Sequence, residues 1–471
     1  MERLRRISEL PGPRGLPLLG NLLQIDSTRL HGAAEAWSRT YGEYFRFRIA
    51  EREFLVVANA ETTAAVLRDR PDGFWRTPRF EATAKELGFG GVLSSNGAAW
   101  RRQRSMVMAG FDPGHIKTYF PALVRVTERF ARRWQRAAAA GTVIELQPDL
   151  MRYTVDVTTG LAFGTDINTL ESEEEVIQTH LDKVLPALFK RLLAPVQYWH
   201  WFKLPADRRL DKHIEALRRE VAGFIAAARE RMARDPSLRE RPANLIEAML
   251  AARDTPGSGL TDDEVSENVL TMLLAGEDTT ANTLAWMIWL LHGNPTALAR
   301  ARDEVRGVLG GQAVPTRYEQ VAALHYVEAC AHETLRLRPV VPLIINQAAR
   351  DTVVAGIEVP AGTLVMCLMR PPATDQRHFE QPNEFEPGRW LTDGAPSRAA
   401  SSAKRVAMPF GAGPRLCPGR YLAMLEIKIV AAMLLAGFDI EEVGVPGGGE
   451  PREYLALTMA PVGLRMRLRK V

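Results

Sequence analysis

Several short stretches of this 471-residue chain gather side chains that could do chemistry together. FGAGPRLCPG (Phe410–Gly419) sets one of only three cysteines among three glycines, two prolines and Arg415. A thiolate is the competent nucleophile and metal ligand. Cys417 stands just ahead of the helical pattern YLAMLEIKIVAAMLLAG. There, free backbone N–H groups and the positive dipole end would favour a sulfur anion. The glycines permit tight turns and close approach of the backbone to something flat and bulky. Arg415 can offer a bidentate fork to a carboxylate. A lone cysteine is otherwise a small buried hydrophobe. That plainer reading is kept for Cys330, in a helix-like stretch, and for Cys367, in an apolar strand-like one.

AGEDTT (Ala275–Thr280) carries an acid-alcohol pair, Asp278-Thr279, behind a glycine. Gly276 costs a helix about 1 kcal/mol relative to alanine and should loosen it locally. A positioned carboxyl and hydroxyl can relay protons; the alternative is two threonines merely tolerated in a helix. Glu333 and Arg336 share a helix face at i, i+3, which by itself is usually a surface ion pair of about 0–1 kcal/mol. WRRQR (Trp100–Arg104) offers an indole N–H and a guanidinium fork, although alone such a run is more often a solvated basic face.

The elements that must position these groups are legible in part. Pro11–Asn21 (PGPRGLPLLGN) reads as a stiff strap over the surface. YFRFRI (Tyr44–Ile49) alternates, and FLVVAN follows after a short polar turn, which predicts a hairpin. From Ala98 to Ala251 the pattern is mostly helical. Thr261-Asp-Asp-Glu264 is a capping box opening a helix that can run to His292, about 48 Å at 1.5 Å per residue. GLRMRLRK (Gly463–Lys470) sets Leu464, Met466 and Leu468 on one face of a strand and three arginines on the other. The sum is a mainly α protein with small antiparallel β-sheets.

Composition narrows the class. Apolar residues make up 46% and charged residues 25%, ordinary for a globular chain. A net charge of +4, from 60 basic and 56 acidic residues, is too mild to argue for nucleic acid. Three cysteines without short spacing are no disulfide framework, and a reducing compartment fits best. The N-terminus has no apolar h-region and no run reaches the ~18 apolar residues a membrane span needs, so a soluble, cytoplasmic protein is expected.

Phe410-x-x-Gly413-x-Arg415-x-Cys417-x-Gly419 resembles the haem-binding loop of the cytochrome P-450 superfamily. Four further stretches match that family in order, and the resemblance as a whole covers nearly the whole chain, from Pro11 to the final strands. They are the Trp100 helix, AGEDTT, Glu333-x-x-Arg336, and Phe385-x-Pro387-x-Arg389-Trp390. The middle of the chain is similar to the haem domain of soluble bacterial fatty-acid hydroxylases. The resemblance implies one catalytic domain over 1–471. A β-rich part would lie at about 40–70 and 340–370, a long central helix over the haem, and the haem loop at 410–419. It implies haem b with Cys417 as the iron ligand. Trp100, Arg104, Ala275, Phe410, Gly411, Arg415 and Gly419 would contact the cofactor. Gly413 and Gly419 would let the backbone come close to haem and helix. Thr279 would hold dioxygen and a water while Asp278 relays protons. Glu333, Arg336 and Arg389 would form a buried structural triad. One position departs from the pattern: many relatives carry a propionate-binding arginine where this chain has Asn346.

By position, the pocket would be lined by Val92, Leu93, Leu274, Ala275, Val340, Val341, Leu343 and Met459, all apolar. A hydrophobic substrate, such as a fatty acid or terpenoid, is therefore expected. YWHWF (Tyr198–Phe202) falls where relatives have a lid, with core packing the favoured reading. No reductase module is expected within the chain. A separate ferredoxin or flavodoxin would supply electrons to a monomer, docking on Lys404, Arg405 and Arg420. A peroxygenase or isomerase and a haem sensor are the alternatives; the Asp278-Thr279 pair argues against both.

Overall fold

Alternation in YFRFRI produces the expected hairpin. In β1 (Tyr44–Ile49) Phe45, Phe47 and Ile49 are buried, and β1 pairs antiparallel with β2 (Arg52–Val57) from Tyr44 opposite Val57 to Ile49 opposite Arg52. The structure is a computed structural model and describes residues 3–111, 113–172, 177–392, 395–396 and 398–471. The strap runs along β1: the Arg46 amide donates to the Pro11 carbonyl and the Asn21 amide to the Arg48 carbonyl. The sheet is completed by β3 (Phe74–Trp75), β4 (Leu343–Ala348) and β5 (Leu364–Leu368), in the spatial order β1-β2-β5-β4-β3. The expectation of small antiparallel sheets is qualified by two parallel joints among the described residues, one of them Arg5–Arg6 on the strand Ile357–Val359. β5 pairs with β2 in parallel, because the whole helical body lies between them in sequence and serves as the crossover.

The helices that matter to the site are labelled in chain order: α1 (Ala60–Arg68), α2 (Pro78–Glu86), α3 (Gly97–Gly110), α4 (Leu146–Phe163), α5 (Gln178–Leu193), α6 (Pro205–Arg234), α7 (Asp262–His292), α8 (His325–Leu337) and α9 (Arg420–Gly437). α7 begins as its sequence dictates. Thr261 Oγ1 accepts the Glu264 amide at 3.1 Å, and Glu264 Oε2 accepts the Thr261 amide at 3.0 Å. It remains helical through Gly276. The glycine is there for packing and does not loosen the helix: a Cβ at 276 would lie 2.6 Å from Thr158 Oγ1 on α4. α9 is apolar almost all round and sits in the main core with α4, α7 and α8. The chain then passes directly into β6 (Phe438–Gly444) and through the hairpin β7 (Arg452–Ala456) and β8 (Thr458–Val462). It ends on β9 (Arg465–Lys470), which buries Met466 and Leu468.

α8 carries the strongest buried polar network. Glu333, with no solvent exposure, accepts Arg336 Nε and Nη2 at 2.8 Å each, Arg389 Nε at 2.9 Å, the Glu386 amide at 2.9 Å and Trp390 Nε1 at 2.8 Å. Trp390 packs on Ala329, Ala373 and Ala407, so the network reaches the residues just before the cysteine loop. The aromatic run near 200 divides. Trp199 is buried, with its indole N–H on Glu86 and the Arg191 guanidinium over its ring, whereas Trp201 and Phe202 are exposed, against the core reading for those two.

Candidate active site

Cys417 is held at the end of a loop that doubles back on itself. Its amide donates to the Phe410 carbonyl at 3.0 Å. The carbonyls on either side are taken up by cations: Arg104 Nη2 reaches Leu416 O at 2.6 Å and Arg420 Nη1 reaches Cys417 O at 3.1 Å. Gly411 and Gly413 have φ of +78° and +71°. At Gly413 there is also no room, since a Cβ would lie 2.6 Å from the Arg68 Cα and 2.7 Å from the Leu67 carbonyl oxygen of α1. Gly419 has an ordinary backbone conformation. Its φ is −81° and a Cβ there would meet only Phe111, at 3.7 Å; it is the N-cap residue of α9. Burial pushes the Cys417 thiol up, opposed by the Gly419 amide and by Arg104 and Arg420. A metal ion bound at the sulfur would favour the thiolate against that burial.

On α7, Ala275 and Thr279 lie one turn apart and both face a cavity of about 730 Å³. Thr279 Oγ1 donates back to the Ala275 carbonyl at 2.9 Å. Asp278 is buried and accepts the hydroxyl of Thr458, the first residue of β8. Burial raises its carboxyl to about 6, against the lowering effect of Thr458 and Asn282. Thr458 was not legible in the sequence, because nothing in its spacing ties it to α7.

The cavity wall includes the expected Leu93, Leu274, Ala275, Val341 and Leu343, joined by Phe89 and Phe189. Three expected wall residues are corrected. The Val92 amide is tied to Asn268 Oδ1 at 2.8 Å, and its side chain packs into the helical core beside α3 and α7. Val340 and Met459 pair through backbone, Met459 N–H to Val340 O at 2.8 Å, and their side chains enter the core with Phe45 and Trp286. The hairpin tip residues Leu457 and Thr458 face the cavity in place of Met459.

Beside the cysteine loop lies a group of guanidiniums, with the Glu81 carboxylate held off them by Asn96. Arg415 donates to Ser95 O at 2.6 Å and Asn96 Oδ1 at 3.2 Å and lies 4.7 Å from the Trp100 ring centroid. Arg70 donates to Leu67 O and Ala412 O, Arg76 to Leu93 O, and Arg104 to Leu416 O. Among the described residues none of the four has an ion-pair partner, and Arg415 Nε has no partner at all. Burial brings Arg70 down to about 9, Arg76 to about 10 and Arg415 to about 8, with Arg76 and Arg70 adding repulsion at Arg415. Desolvated like charges are relieved by an anion placed among them.

The family model for cytochrome P-450 matches residues 10–463. The chain is a cytochrome P-450. It is similar to pentalenene oxygenase of Streptomyces avermitilis, 27% identical over 97% of this chain and 96% of that protein. It is also similar to cyclooctatin synthase of Streptomyces melanosporofaciens, 29% identical over 96% of this chain and 94% of that one. A self-sufficient cytochrome P-450 monooxygenase of Aspergillus niger matches 98% of this chain at 27% identity, but only 43% of its own length.

The family carries a haem-thiolate cofactor, and the residues of this P-450 fit one. Cys417 is a half-buried free thiol at a loop end between cationic neighbours. The arginine cluster matches a group bearing carboxylates, and sequence reasoning reached only half of it. Trp100, Arg104 and Arg415 came from motif matches; Arg70 and Arg76 have no motif. Asn96 was missed too, although its Oδ1 joins the Arg76 amide at 2.9 Å to Arg415. Asn346 is fully buried with neither amide atom partnered.

Proposed function

We propose that this cytochrome P-450 is a monooxygenase that binds haem b and hydroxylates a hydrophobic, terpenoid- or lipid-like substrate. The observation that carries the reading is the apolar cavity with Thr279 in its wall and the buried Asp278 next to it on α7. The two Streptomyces relatives, named for pentalenene and cyclooctatin, favour a terpenoid. When bound, haem supplies dioxygen activation and insertion of one oxygen atom into a C–H bond, with two electrons and two protons consumed. Cys417 would ligate its iron, and Trp100, Arg104 and Arg415 would hold its carboxylates. Phe410 would shield the sulfur, with Gly411 shaping the loop. Ala275, Leu274, Leu343 and Leu93 orient an apolar substrate and exclude water. Thr279 holds a proton at its hydroxyl, and Asp278 moves one toward it.

Ferrous protein with carbon monoxide should show the strongly red-shifted Soret band of thiolate ligation, and titration with cyclic terpene hydrocarbons should give a low-to-high-spin shift. A haem-loaded, folded protein without that band overturns the reading; a shift only with fatty acids moves the substrate class.

Electrons would come from a separate ferredoxin or flavodoxin. Lys404 and Arg405 are exposed on the helix Arg398–Ala407, and Arg420 lies over the Tyr421 ring at 4.2 Å. First-electron transfer from an acidic donor should fall about tenfold between low and 0.5 M salt, roughly what screening removes from a steered encounter. A rate indifferent to ionic strength sinks the docking face. Among the described residues no helix is long and apolar enough to cross a membrane.

A further inference from the structure

The turn that holds Tyr198 and Trp199 folds α6 back onto α5, and the two helices pack together. Along α5, Lys183, Ala187 and Lys190 recur at intervals of four and three, so they share one face. That face borders a cleft of about 360 Å³ between the helices. From α6 the cleft is lined by Ala206, Arg209, Leu210 and His213. The small side chains of Ala187 and Ala206 leave it open. The opposite face of α5, with Leu185, Phe189 and Leu192, lines the apolar cavity that Thr279 also faces. The two hollows share no lining residue. His180 and His213 tie the helices to each other, Nδ1 to Nδ1 at 2.8 Å, one ring donating and the other accepting.

The charges around this cleft do not balance. Lys183, Lys190, Arg191 and Arg209 line it, against the single carboxylate of Asp207. That carboxylate is already used: one oxygen lies 3.3 Å from Arg191 Nη2 and the other accepts the Leu204 amide at 3.1 Å. Arg191 is held further by Glu86 at 3.7 Å and by the Trp199 ring, 4.9 Å from its centroid. Lys183, Lys190 and Arg209 are exposed, and among the described residues their side chains make no ion pair or hydrogen bond. A cleft lined by one sign of charge over low-dielectric walls focuses its field on what enters. The walls here include rings. Trp199 is buried and meets the half-buried Tyr198 edge-on, with ring centroids 5.4 Å apart at 83°. An inorganic anion would use the cations and leave the rings and Leu210 idle. An anion with a flat apolar body uses both.

We propose that the cleft between α5 and α6 is a second small-molecule site, separate from the apolar cavity, and that it takes a flat organic anion of the aryl carboxylate class. Lys190 from α5 and Arg209 from α6 meet the carboxylate, with Lys183 adding to the field, and Tyr198 and Trp199 meet the ring. An apolar body with a few convergent polar groups is the usual make-up of such a site, and the volume lies within the ~300–1,000 Å³ typical of one.

The test titrates 2-naphthoate, and 2-naphthamide as its neutral twin, into the haem-loaded full-length protein by calorimetry. Naphthoate should bind at one site with a Kd on the order of 1 mM, as its size allows. The amide should bind about tenfold more weakly, for want of charge-assisted contacts. Lys190→Gln combined with Arg209→Gln should weaken naphthoate about tenfold. Both side chains are exposed, so the fold is not at risk, and both line the cleft and not the cavity, so the loss locates the probe. Lys212→Gln alters an exposed lysine of α6 that does not line the cleft and should leave binding within about twofold. Tyr198→Ala should weaken it by a few-fold, roughly what one ring contact is worth. The Soret band should stay in place as the cleft fills. Naphthoate binding unchanged by the Lys190/Arg209 pair or by Tyr198→Ala, an amide as tight as the acid, or an equal loss in Lys212→Gln overturns the proposal. A Soret shift that follows saturation does so too, because it puts the probe beside the haem.

Discussion

Asp278→Asn is expected to lower turnover by about 100-fold while leaving substrate binding within about twofold, the lower end of what a positioned proton donor contributes. Asparagine keeps the shape and can still accept the Thr458 hydroxyl, but it has no proton to give. Asp278 does not form part of the cavity wall, so the substrate-induced spin shift should survive. Electrons would drain into hydrogen peroxide, and the measurement is product formed per NAD(P)H consumed in a reconstituted system. The pH dependence has a definite sign. With its carboxyl raised to about 6, Asp278 carries a proton below that pH and loses it above. Coupled turnover should therefore climb as pH falls from 8 toward 6 and level off below, and the asparagine variant should lack that limb. Thr458→Val removes a hydrogen bond that favours the anion, so it should move the inflection to higher pH, with Thr458→Ser restoring it. An Asp278→Asn enzyme with full coupling would take the residue out of proton delivery.

The parts of this site that were legible in the sequence are those whose function is local. The Thr261–Glu264 box closes on itself within one turn, the β1–β2 hairpin needs only alternation and a short turn, and Cys417 is announced by the glycines and arginine beside it. What was missed depends on partners far along the chain. Thr458 lies 180 residues from the carboxyl it touches, and Arg76 is joined to Arg415 only through Asn96. Gly276 was read as a weak point in a helix, because its real constraint, Thr158 on a crossing helix, is invisible to local propensity. Val340 and Met459 were assigned to the wall by position; a backbone bond between them turns both side chains into the core. The Glu333 pair shows the reverse. An i, i+3 pair is weak on a surface, and only the later Phe385–Trp390 match signalled that it would be buried.

That burial makes Glu333→Gln the most damaging structural substitution to expect. Five donors converge on the two carboxylate oxygens: two from Arg336, one each from Arg389 and Trp390, and the Glu386 amide. Glutamine offers one acceptor oxygen and presents N–H groups where two of those donors already point. It also leaves Arg336, itself without solvent exposure, as a buried cation whose remaining partners are the carbonyls of Ala373, Pro382 and Glu384. Breaking a buried pair from one side costs about 3–5 kcal/mol, a large share of the roughly 5–15 kcal/mol that keeps a protein folded. The expected outcome is insoluble or haem-poor protein, read as haem absorbance per mole of chain and as the urea midpoint. Asp375→Ala, which breaks the exposed Arg377 pair, serves as the comparison and should cost no more than about 1 kcal/mol. The loss should extend to haem uptake as well as stability, because Trp390 is packed against Ala407, three residues before Phe410. A Glu333→Gln protein with wild-type haem content and urea midpoint would show that the cysteine loop does not depend on this carboxylate.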